Sequence, residues 1–413
     1  FNAITKLQFN RRSHDKLLVV DGSFSDKAVV MTGGRNISLD YYGINADGSE
    51  DLDAFRDLEI LSMSGEHSSD EDNTVGKISE IYYSLLFSHT GNRRIKPHKI
   101  PEESEEFGEL DEPGEGKYEN KYAAHRNKAQ KSLATLKAFP HVKKKLDDMP
   151  NYMAHDFNEA QVRLSHQLSN LTNADVTTNV VENLERNPNS ILYLFSKIMG
   201  DAKDKGISSG SLQIVSPYLF SGQYFDKEGE LIYDGAKDTL EWLNENPGLK
   251  IEVITNSVLT SDNFFTQAII DMGMAPRFLL TPKLQKAWLS SMEEGEFNPA
   301  IVESDEWKAL INHPQIFFYQ TGRLDSNLLG GDEHYGKLHA KFIYGDGDSL
   351  GFVGTSNFDY RSNLYNNEMG FFFSGAEVRD ELANVFEQLK ATSYRWGSPE
   401  WLEMRKKVMA SDT

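Results

Sequence analysis

A short pattern of residues able to do nucleophilic and acid–base chemistry occurs twice in the chain. Each copy has the form His-x-Lys-x4-Asp, made near the start by His14, Lys16 and Asp21 and near the end by His339, Lys341 and Asp346. A Gly-x-x-Asn tetrapeptide follows each copy, at Gly33–Asn36 and at Gly354–Asn357. One His-x-Lys arises easily by chance. Two copies with the same spacing and the same following loop predict a catalytic site built from an internal repeat.

The spacing also predicts how these side chains are presented. Residues i and i+2 of a strand point to the same face, so the His and the Lys of each copy project together. The next strand of each copy ends in a glycine-containing turn, which delivers the amide of Asn36 or Asn357 to the same place. Two such halves that face each other supply two His, two Lys and two Asn side chains.

This set of groups matches what a phosphodiester requires. One His attacks phosphorus and the other protonates the leaving oxygen, while Lys and Asn neutralise the non-bridging oxygens. Because the set already contains cations, we predict that the reaction uses no metal ion and no cofactor. The other nine His, among them His67, His125 and His313, lie in no comparable context and show no metal-ligand spacing.

Composition narrows the classes of function. The 413 residues are enough for two or three domains, and the chain has no Cys, which excludes disulfides and thiolate chemistry. Lys and Arg total 43 against 63 Asp and Glu, so the net charge is −20. A surface this acidic disfavours nonspecific binding of long nucleic acids, because their phosphates are repelled.

Strand patterns alternate with helix patterns along the chain, which predicts an α/β layered fold. Apolar spacing predicts helices over residues 75–87, 235–245 and 378–391. Residues 117–145 carry nine Lys or Arg against the single acid Glu119 and predict two exposed helices that break near Pro140. The alternative for this basic segment is contact with a membrane surface or an anionic substrate.

The two copies resemble the paired HKD motifs of the phospholipase D superfamily. Further segments are similar to those of bacterial cardiolipin synthase-like members and follow the family order: 10–16, 33–36, 40–43, 55–59, 215–218, 254–257, 358–362 and 367–370. The resemblance covers nearly the whole chain and is weakest over residues 100–190. Its motifs are specific for the superfamily and much less specific for the substrate.

The resemblance implies two pseudo-symmetric halves, each a mixed β-sheet flanked by helices, with the active site at their interface. We place the first half, including the charged helical insertion, at residues 1–170 and the second half at residues 171–413. A half of this fold normally carries a long segment before its His motif, whereas here the motif starts at residue 14. We therefore expect the N-terminal part of the first half to be absent from this chain and to exist as a cleaved or separate polypeptide.

For the site, the resemblance implies a phosphohistidine intermediate. It assigns His14 as the nucleophile and His339 as the general acid and base, and the residues themselves leave the reverse assignment open. The phosphate would be held by four side chains: Lys16, Lys341, Asn36 and Asn357.

Accessory roles follow from the same resemblance. Glu368 fits the acidic residue that orients a catalytic His, and Asp40 is a weaker counterpart in the first half. Asp21 and Asp346 are expected to brace their loops, and Ser356 to support the second loop.

The predicted enzyme is a phospholipase D-type phosphodiesterase or phosphatidyltransferase, cardiolipin synthase-like, that passes a phosphatidyl group to water or an alcohol. The alternative is a metal-independent nuclease or other phosphodiesterase of the superfamily, which the charge of −20 disfavours. The expected partner is a phospholipid at a membrane surface rather than a nucleic acid. Candidate contacts with the membrane are the basic 117–145 segment and an aromatic cluster of Tyr218, Phe220, Tyr224 and Phe225. The cellular location is undefined, with a bacterial peripheral-membrane or extracytoplasmic protein as the expectation.

Overall fold

A computed structural model gives the structure of the protein. It describes residues 12–64, 73–90, 92, 117–153, 157–172, 187–204, 206, 208–218, 223–226, 228–263, 267, 277, 281–293, 298–345 and 350–411. Asp346 and Phe220 lie outside the described residues.

The elements alternate between strands and helices as the sequence predicts. The first part contains β1 (Leu17–Val20), β2 (Val29–Gly33), β3 (Phe55–Arg56), β4 (Glu59–Met63), α1 (Val75–Phe87), α2 (Lys117–Ala138) and α3 (Pro140–Met153). Next come β5 (Gln161–His166), α4 (Ser169–Thr172), α5 (Ile191–Asp204), β6 (Gly210–Val215), β7 (Gln223–Phe225), β8 (Leu231–Asp234), α6 (Gly235–Glu245) and β9 (Leu249–Thr255). The chain continues with α7 (Pro282–Glu293), α8 (Pro299–Val302), α9 (Asp305–Ile311), β10 (Ile316–Thr321), β11 (Lys337–Leu338), β12 (Phe342–Gly345) and β13 (Leu350–Gly354). It closes with α10 (Tyr360–Leu364), β14 (Met369–Ser374), α11 (Ala376–Ala391), β15 (Ser393–Arg395) and α12 (Pro399–Ser411).

Local sequence signals account for several of these boundaries. The helix predicted over 235–245 is α6, whose first turn is capped by the Asp234 carboxylate accepting from the amides of Ala236 and Lys237. The helix predicted over 75–87 is α1, which begins after Thr74 as its N-cap. The basic segment forms α2 and α3, which are separated at Phe139 directly before Pro140. These three predictions are confirmed.

An eight-stranded mixed sheet forms the framework, in the order β15-β10-β9-β6-β12-β13-β14-β5. Strands β6, β9 and β10 are parallel to one another, whereas the β12, β13, β14 and β5 pairings are antiparallel. Adjacent residues of β9 point to opposite faces of the sheet. Val253 packs against a tryptophan-rich core, and Ile254 packs against the core beneath α11. A large mixed sheet flanked by helices confirms the predicted α/β class.

A second sheet of three strands, in the order β1-β2-β4, packs on the large one. Val30 of β2 and Tyr82 of α1 share a buried cluster with Met369 and Phe371 of β14. Strand β5, which precedes the predicted boundary at residue 170, pairs with β14 in the large sheet. The division of the chain at residue 170 and the expected separate N-terminal polypeptide stay predictions.

The two His-x-Lys copies occupy hairpins of identical register. In the first, Leu17, three residues after the His, lies opposite Thr32, and Gly33 lies opposite Glu59. In the second, Phe342 lies opposite Val353, and Gly354 opposite Gly370. Because a slip of one residue would turn every side chain to the other face, this shared register places equivalent residues of the two copies in equivalent positions.

Within the described residues, no helix has both the length and the apolar character needed to cross a bilayer.

Candidate active site

Each His-x-Lys copy is held by backbone contacts with the other part of the chain. The His14 amide donates to the Asn367 carbonyl at 2.9 Å, and the Asn367 amide donates to the Arg12 carbonyl at 2.9 Å. In the second copy, β11 runs parallel to β3, and the Arg56 carbonyl accepts from the amide of His339 at 2.8 Å. Each His is therefore positioned by a segment that is remote in sequence, His14 by the segment at Asn367 and His339 by the segment at Arg56.

His14 is oriented by a buried carboxylate. Its Nδ1 lies 2.9 Å from Oε2 of Glu368, with the His side chain 24% exposed and the Glu side chain 0%. Thr355 donates to the same carboxylate at 2.6 Å and Asn366 to its other oxygen at 3.0 Å. Burial alone would raise the pKa of Glu368, but the bond and the charge of His14, with the other two donors, outweigh burial and lower it. Glu368 is therefore an ionised acceptor, which ties Nδ1 and leaves Nε2 of His14 free to react.

His339 has the reciprocal arrangement. Its Nδ1 lies 2.6 Å from Oδ2 of Asp57, whose side chain is fully buried, and 2.8 Å from Nζ of Lys341. A protonated Nδ1 donates to Asp57, whereas an unprotonated Nδ1 accepts from Lys341, so the nitrogen makes one of these bonds at a time. Burial, and then the Lys341 charge, lower the pKa of His339 to about 4 against the opposing effect of Asp57.

The side chains of Lys16 and Lys341 lie in the interior of the site. Nζ of Lys16 donates to the His14 carbonyl at 2.9 Å, and Nζ of Lys341 donates to the His339 carbonyl. Burial lowers the pKa of Lys16, and it lowers that of the fully buried Lys341 to about 7. Asp57 and Glu368 raise the pKa of both lysines, and the Lys16 charge lowers that of Lys341. The four groups therefore form one electrostatic cluster in which both lysines can bind an anion.

Aromatic rings pack on one side of His339. Tyr41 stacks on Phe55 at a centroid separation of 4.0 Å, and both rings meet the imidazole edge-on. The Tyr41 hydroxyl lies 3.5 Å from Nε2 of His339. These contacts fix the plane of the imidazole.

The two predicted asparagines lie in their loops beside this cluster. Asn36 lies close enough to the Tyr41 hydroxyl to lower the pKa of Tyr41, although burial raises that pKa overall. The Asn357 carbonyl accepts from Ser216 at 2.6 Å, while its side-chain Oδ1 is buried without a described partner. Ser356 is buried and accepts from the Phe358 amide at 3.4 Å, within the second loop.

The acidic residues that the sequence predicts to have accessory roles do not all make the predicted contacts. Asp40 is exposed and accepts from Ser38, and the carboxylate that meets His339 is Asp57 instead. Asp21 lies in the turn after β1, at the far end of the strand from His14, where its carbonyl accepts from Phe24. Asp21 has a positive φ of 53°, so it contributes to the shape of the turn.

Asp57 is the residue that sequence reasoning missed. A register signal was present, because Asp57 stands two residues before the partner of Gly33 just as Glu368 stands two residues before the partner of Gly354. The segment is fixed by Arg35 of the first Gly-x-x-Asn loop, which donates to the Asp57 carbonyl at 3.2 Å and to a carboxylate two residues further on. Strand pairing, which spacing along the chain does not reveal, makes Asp57 and Glu368 equivalent.

Asp15 forms a buried network behind His14. Its Oδ2 accepts from Ser13 at 2.8 Å, Tyr82 at 2.9 Å and Asn367 at 2.6 Å, while its Oδ1 is buried without a described partner. Burial raises the pKa of Asp15 to about 6. The network ties the strand that carries His14 to the segment that carries Glu368.

Replacing Gly34 by alanine should disable the site. An added Cβ would lie 2.3 Å from Oδ1 of Asp57 and 2.8 Å from the His339 carbonyl, so the carboxylate must move. We expect Gly34→Ala to lower kcat/KM for an alkyl phosphodiester, whose leaving oxygen must be protonated, by about a hundredfold. The matched control is Gly345→Ala, whose Cβ meets no described atom within 4 Å and should leave turnover unchanged. Equal activities of the two variants would contradict the proposed role of the Asp57 contact.

Replacing Asp15 by asparagine should change how stability depends on pH. The folded-state pKa of about 6 is above the ordinary value of 3.8, so the folded chain binds the proton more tightly and loses stability as pH rises through this window. The substituted amide does not titrate. We expect the free energy of unfolding of Asp15→Asn, relative to the parent, to increase by about 2 kcal/mol between pH 4 and pH 7.5 in urea titrations. Parallel pH profiles for the two proteins would show that Asp15 is not a buried titrating group.

Comparison with known proteins agrees with this geometry in the second part of the chain. Residues 208–390 match the family model for "Cardiolipin synthase, PLD-like domain". No curated protein sequence matches the chain significantly. Among solved structures, phosphatidylserine synthase of Haemophilus influenzae Rd KW20 is 12% identical at a TM-score of 0.42, covering 98% of this chain and 68% of that chain.

Two smaller proteins are also similar. NucT of Helicobacter pylori is 13% identical at a TM-score of 0.28, and Nuc of Salmonella typhimurium is 12% identical at 0.27. Each is covered over 100% of its own length by 58% of this chain. TM-scores this low carry no argument about activity, whereas residues 208–390 match the family model in sequence. The family match therefore shows that residues 208–390 are similar to a phospholipase D-like domain.

Proposed function

We propose that the protein transfers a phosphatidyl group from a phospholipid to water or an alcohol, through a phosphohistidine on His14. The observation that carries the proposal is the reciprocal pairing of His14 with Glu368 and of His339 with Asp57. Each pair fixes Nδ1 and leaves Nε2 for chemistry, which is the arrangement that a two-step displacement at phosphorus requires.

His14 is suited to be the nucleophile because its carboxylate partner is ionised and fully buried. Neutral His14 donates Nδ1–H to Glu368 and presents the Nε2 lone pair to phosphorus. As the N–P bond forms, the imidazole becomes positive, and the adjacent Glu368 carboxylate stabilises that charge in a site of low dielectric. His14 is also the more exposed of the two His, which gives the substrate access to it.

The phosphate is held by the two lysines and the two loop asparagines. Lys16 and Lys341 donate to the carbonyls of their own His residues, and these bonds are weaker than those to an anionic oxygen. A bound phosphodiester raises the lowered pKa of Lys341 and draws its ammonium from Nδ1 of His339. Released from Lys341, Nδ1 of His339 takes a proton from solvent and donates it in a hydrogen bond to Asp57, so the imidazole becomes a cation that can act as the general acid.

The reaction then balances in two steps. Nε2 of His14 forms a bond to phosphorus, and the bond to the leaving alkoxide breaks as Nε2–H of His339 gives it a proton. In the second step neutral His339 takes a proton from water or an alcohol, whose oxygen bonds to phosphorus while the N–P bond breaks. Both His residues return to their starting states.

The phospholipid class is supported by the family model and by charge. The model that matches residues 208–390 is described as cardiolipin synthase, and the net charge of −20 suits one phosphodiester in a cationic pocket better than a polynucleotide. Transfer to the head group of phosphatidylglycerol would yield cardiolipin. The basic helices α2 and α3 are the proposed contact with an anionic membrane surface.

Lipid analysis by mass spectrometry tests the substrate class. The protein is incubated with vesicles of phosphatidylglycerol and phosphatidylethanolamine, with His14→Ala as the inactive control. Phosphatidic acid identifies a hydrolase, and cardiolipin identifies a synthase. Cleavage of DNA without turnover of either lipid would overturn the phospholipid assignment in favour of a nuclease.

Trapping of the intermediate tests the two His roles. p-Nitrophenolate leaves without protonation, so His339→Ala should still form the phosphohistidine from bis-p-nitrophenyl phosphate, whereas His14→Ala should form none. With a phospholipid, which needs an acid, both variants should lose at least about a hundredfold in kcat. The exposed His125 of α2 provides the control variant for the soluble diester, His125→Ala, with unchanged formation of the adduct from bis-p-nitrophenyl phosphate. A covalent adduct in His14→Ala and none in His339→Ala would reverse the assignment.

A further inference from the structure

Arg35, the third residue of the first Gly-x-x-Asn loop, donates hydrogen bonds in three directions. Its Nε lies 2.9 Å from the Glu59 carboxylate, Nη1 donates to the Tyr41 carbonyl, and Nη2 donates to the Asp57 carbonyl at 3.2 Å. The guanidinium lies over the Tyr42 ring at 5.4 Å, and the side chain is 19% exposed. One planar cation therefore links the loop to two further segments of the first copy.

Two of the three acceptors belong to residues that contact His339. Oδ2 of Asp57 lies 2.6 Å from Nδ1 of His339, and the Tyr41 ring meets the imidazole edge-on, with its hydroxyl 3.5 Å from Nε2. Arg35 thus holds the backbone of one residue at each nitrogen of the ring. Because a guanidinium presents its donors in a rigid fork, it fixes these two residues relative to each other.

The positive charge of Arg35 is neutralised by its partner. Glu59 forms the ion pair with Arg35 and lies opposite Gly33 in the pairing of β2 and β4, so the ion pair is anchored in the small sheet. This carboxylate offsets the attraction of the guanidinium for a phosphate. The contribution that remains for Arg35 is therefore geometric.

The second copy is built differently at the same position. Ser356 stands there and forms its hydrogen bond within its own loop. The carboxylate of Glu368 is held directly, by the side chains of Thr355 and Asn366. The arginine contacts therefore serve His339, the proposed acid and base, rather than the nucleophile.

We propose that Arg35 is a positioning residue for His339. By holding the backbone of Tyr41 and Asp57, it keeps Nε2 of the imidazole aimed at the oxygen that leaves in the first step and at the oxygen that enters in the second. Its described contacts do not include the imidazole, so it acts through these two residues. The inference rests on the proposed two-step transfer and names the residue that sets the geometry of its acid and base.

Bis-p-nitrophenyl phosphate separates the step that needs His339 from the step that does not. In the first step Nε2 of His14 bonds to phosphorus and p-nitrophenolate leaves with the bonding electrons, so no acid is needed. In the second step Nε2 of His339 takes a proton from water, and the water oxygen bonds to phosphorus as the N–P bond breaks. A misplaced His339 should therefore slow the second step alone, and the covalent adduct should accumulate.

Arg35→Lys tests this role, because lysine keeps a positive charge for Glu59 and loses the fork that reaches both carbonyls. Stopped-flow release of p-nitrophenolate gives the rate of the first step. Intact mass spectrometry after an alkaline quench gives the fraction of protein that carries the adduct. We expect Arg35→Lys to form the adduct at the parental rate and to lose about tenfold in steady-state turnover, with a higher adduct fraction. Partial unfolding would lower turnover without raising that fraction.

The matched control is Arg395→Lys. Arg395 also donates to two carbonyls, those of His313 and Ile316, and lies over the Phe317 ring at 4.6 Å. It belongs to β15 at the outer edge of the large sheet, so this variant should keep the parental turnover and adduct fraction. In Arg35→Lys, unchanged turnover, or a loss of turnover without a higher adduct fraction, would overturn the positioning role.

The proposed function would fail in a different way. If no adduct forms even in His339→Ala, the two-step transfer through a phosphohistidine is wrong, and the role of Arg35 is wrong with it. If the adduct forms in His339→Ala and does not accumulate in Arg35→Lys, only the inference about Arg35 is wrong.

Discussion

The site depends on one reciprocal interaction, in which each reactive imidazole is oriented by a buried carboxylate from the other part of the chain. Glu368 holds His14, and Asp57 holds His339. Backbone pairs at Asn367 and Arg56 fix the distances at which these carboxylates meet the rings. The shared core between the small sheet and β14 is therefore a requirement of the chemistry as well as of stability.

Burial gives these groups their properties and makes their pairing necessary. An ion removed from water without a partner is strongly destabilising, so Lys341, Asp57 and Glu368 persist in the interior only as members of one network. The same burial lowers the pKa of Lys341 and that of His339, which limits the positive charge of the site before a substrate binds. In the proposed mechanism a bound phosphodiester reverses both effects, so that binding of the substrate itself prepares the acid.

Sequence reasoning succeeded where the signal is local. The repeated His-x-Lys spacing, the helix over residues 235–245 and the break near Pro140 each follow from residues close together in the chain. It failed for Asp57, because the equivalence with Glu368 exists only through strand pairing, and Asp40 lay nearer to the Gly-x-x-Asn loop. The buried network of Asp15 was equally hidden, since its donors come from α1 and from the segment before β14.

The crossed carboxylates have the form of an isologous contact, in which residue i of one unit meets residue j of the other and the reverse also holds. Here both contacts occur within one chain. A chain with a single His-x-Lys copy and a single carboxylate at the position of Glu368 would build the same site only across a twofold axis. The segment 208–390 contains one such copy and one such carboxylate. Taken alone, it would have no Asp57 for His339, and the carboxylate of a second copy would have to fill that place, so the active site would form only when two copies assemble.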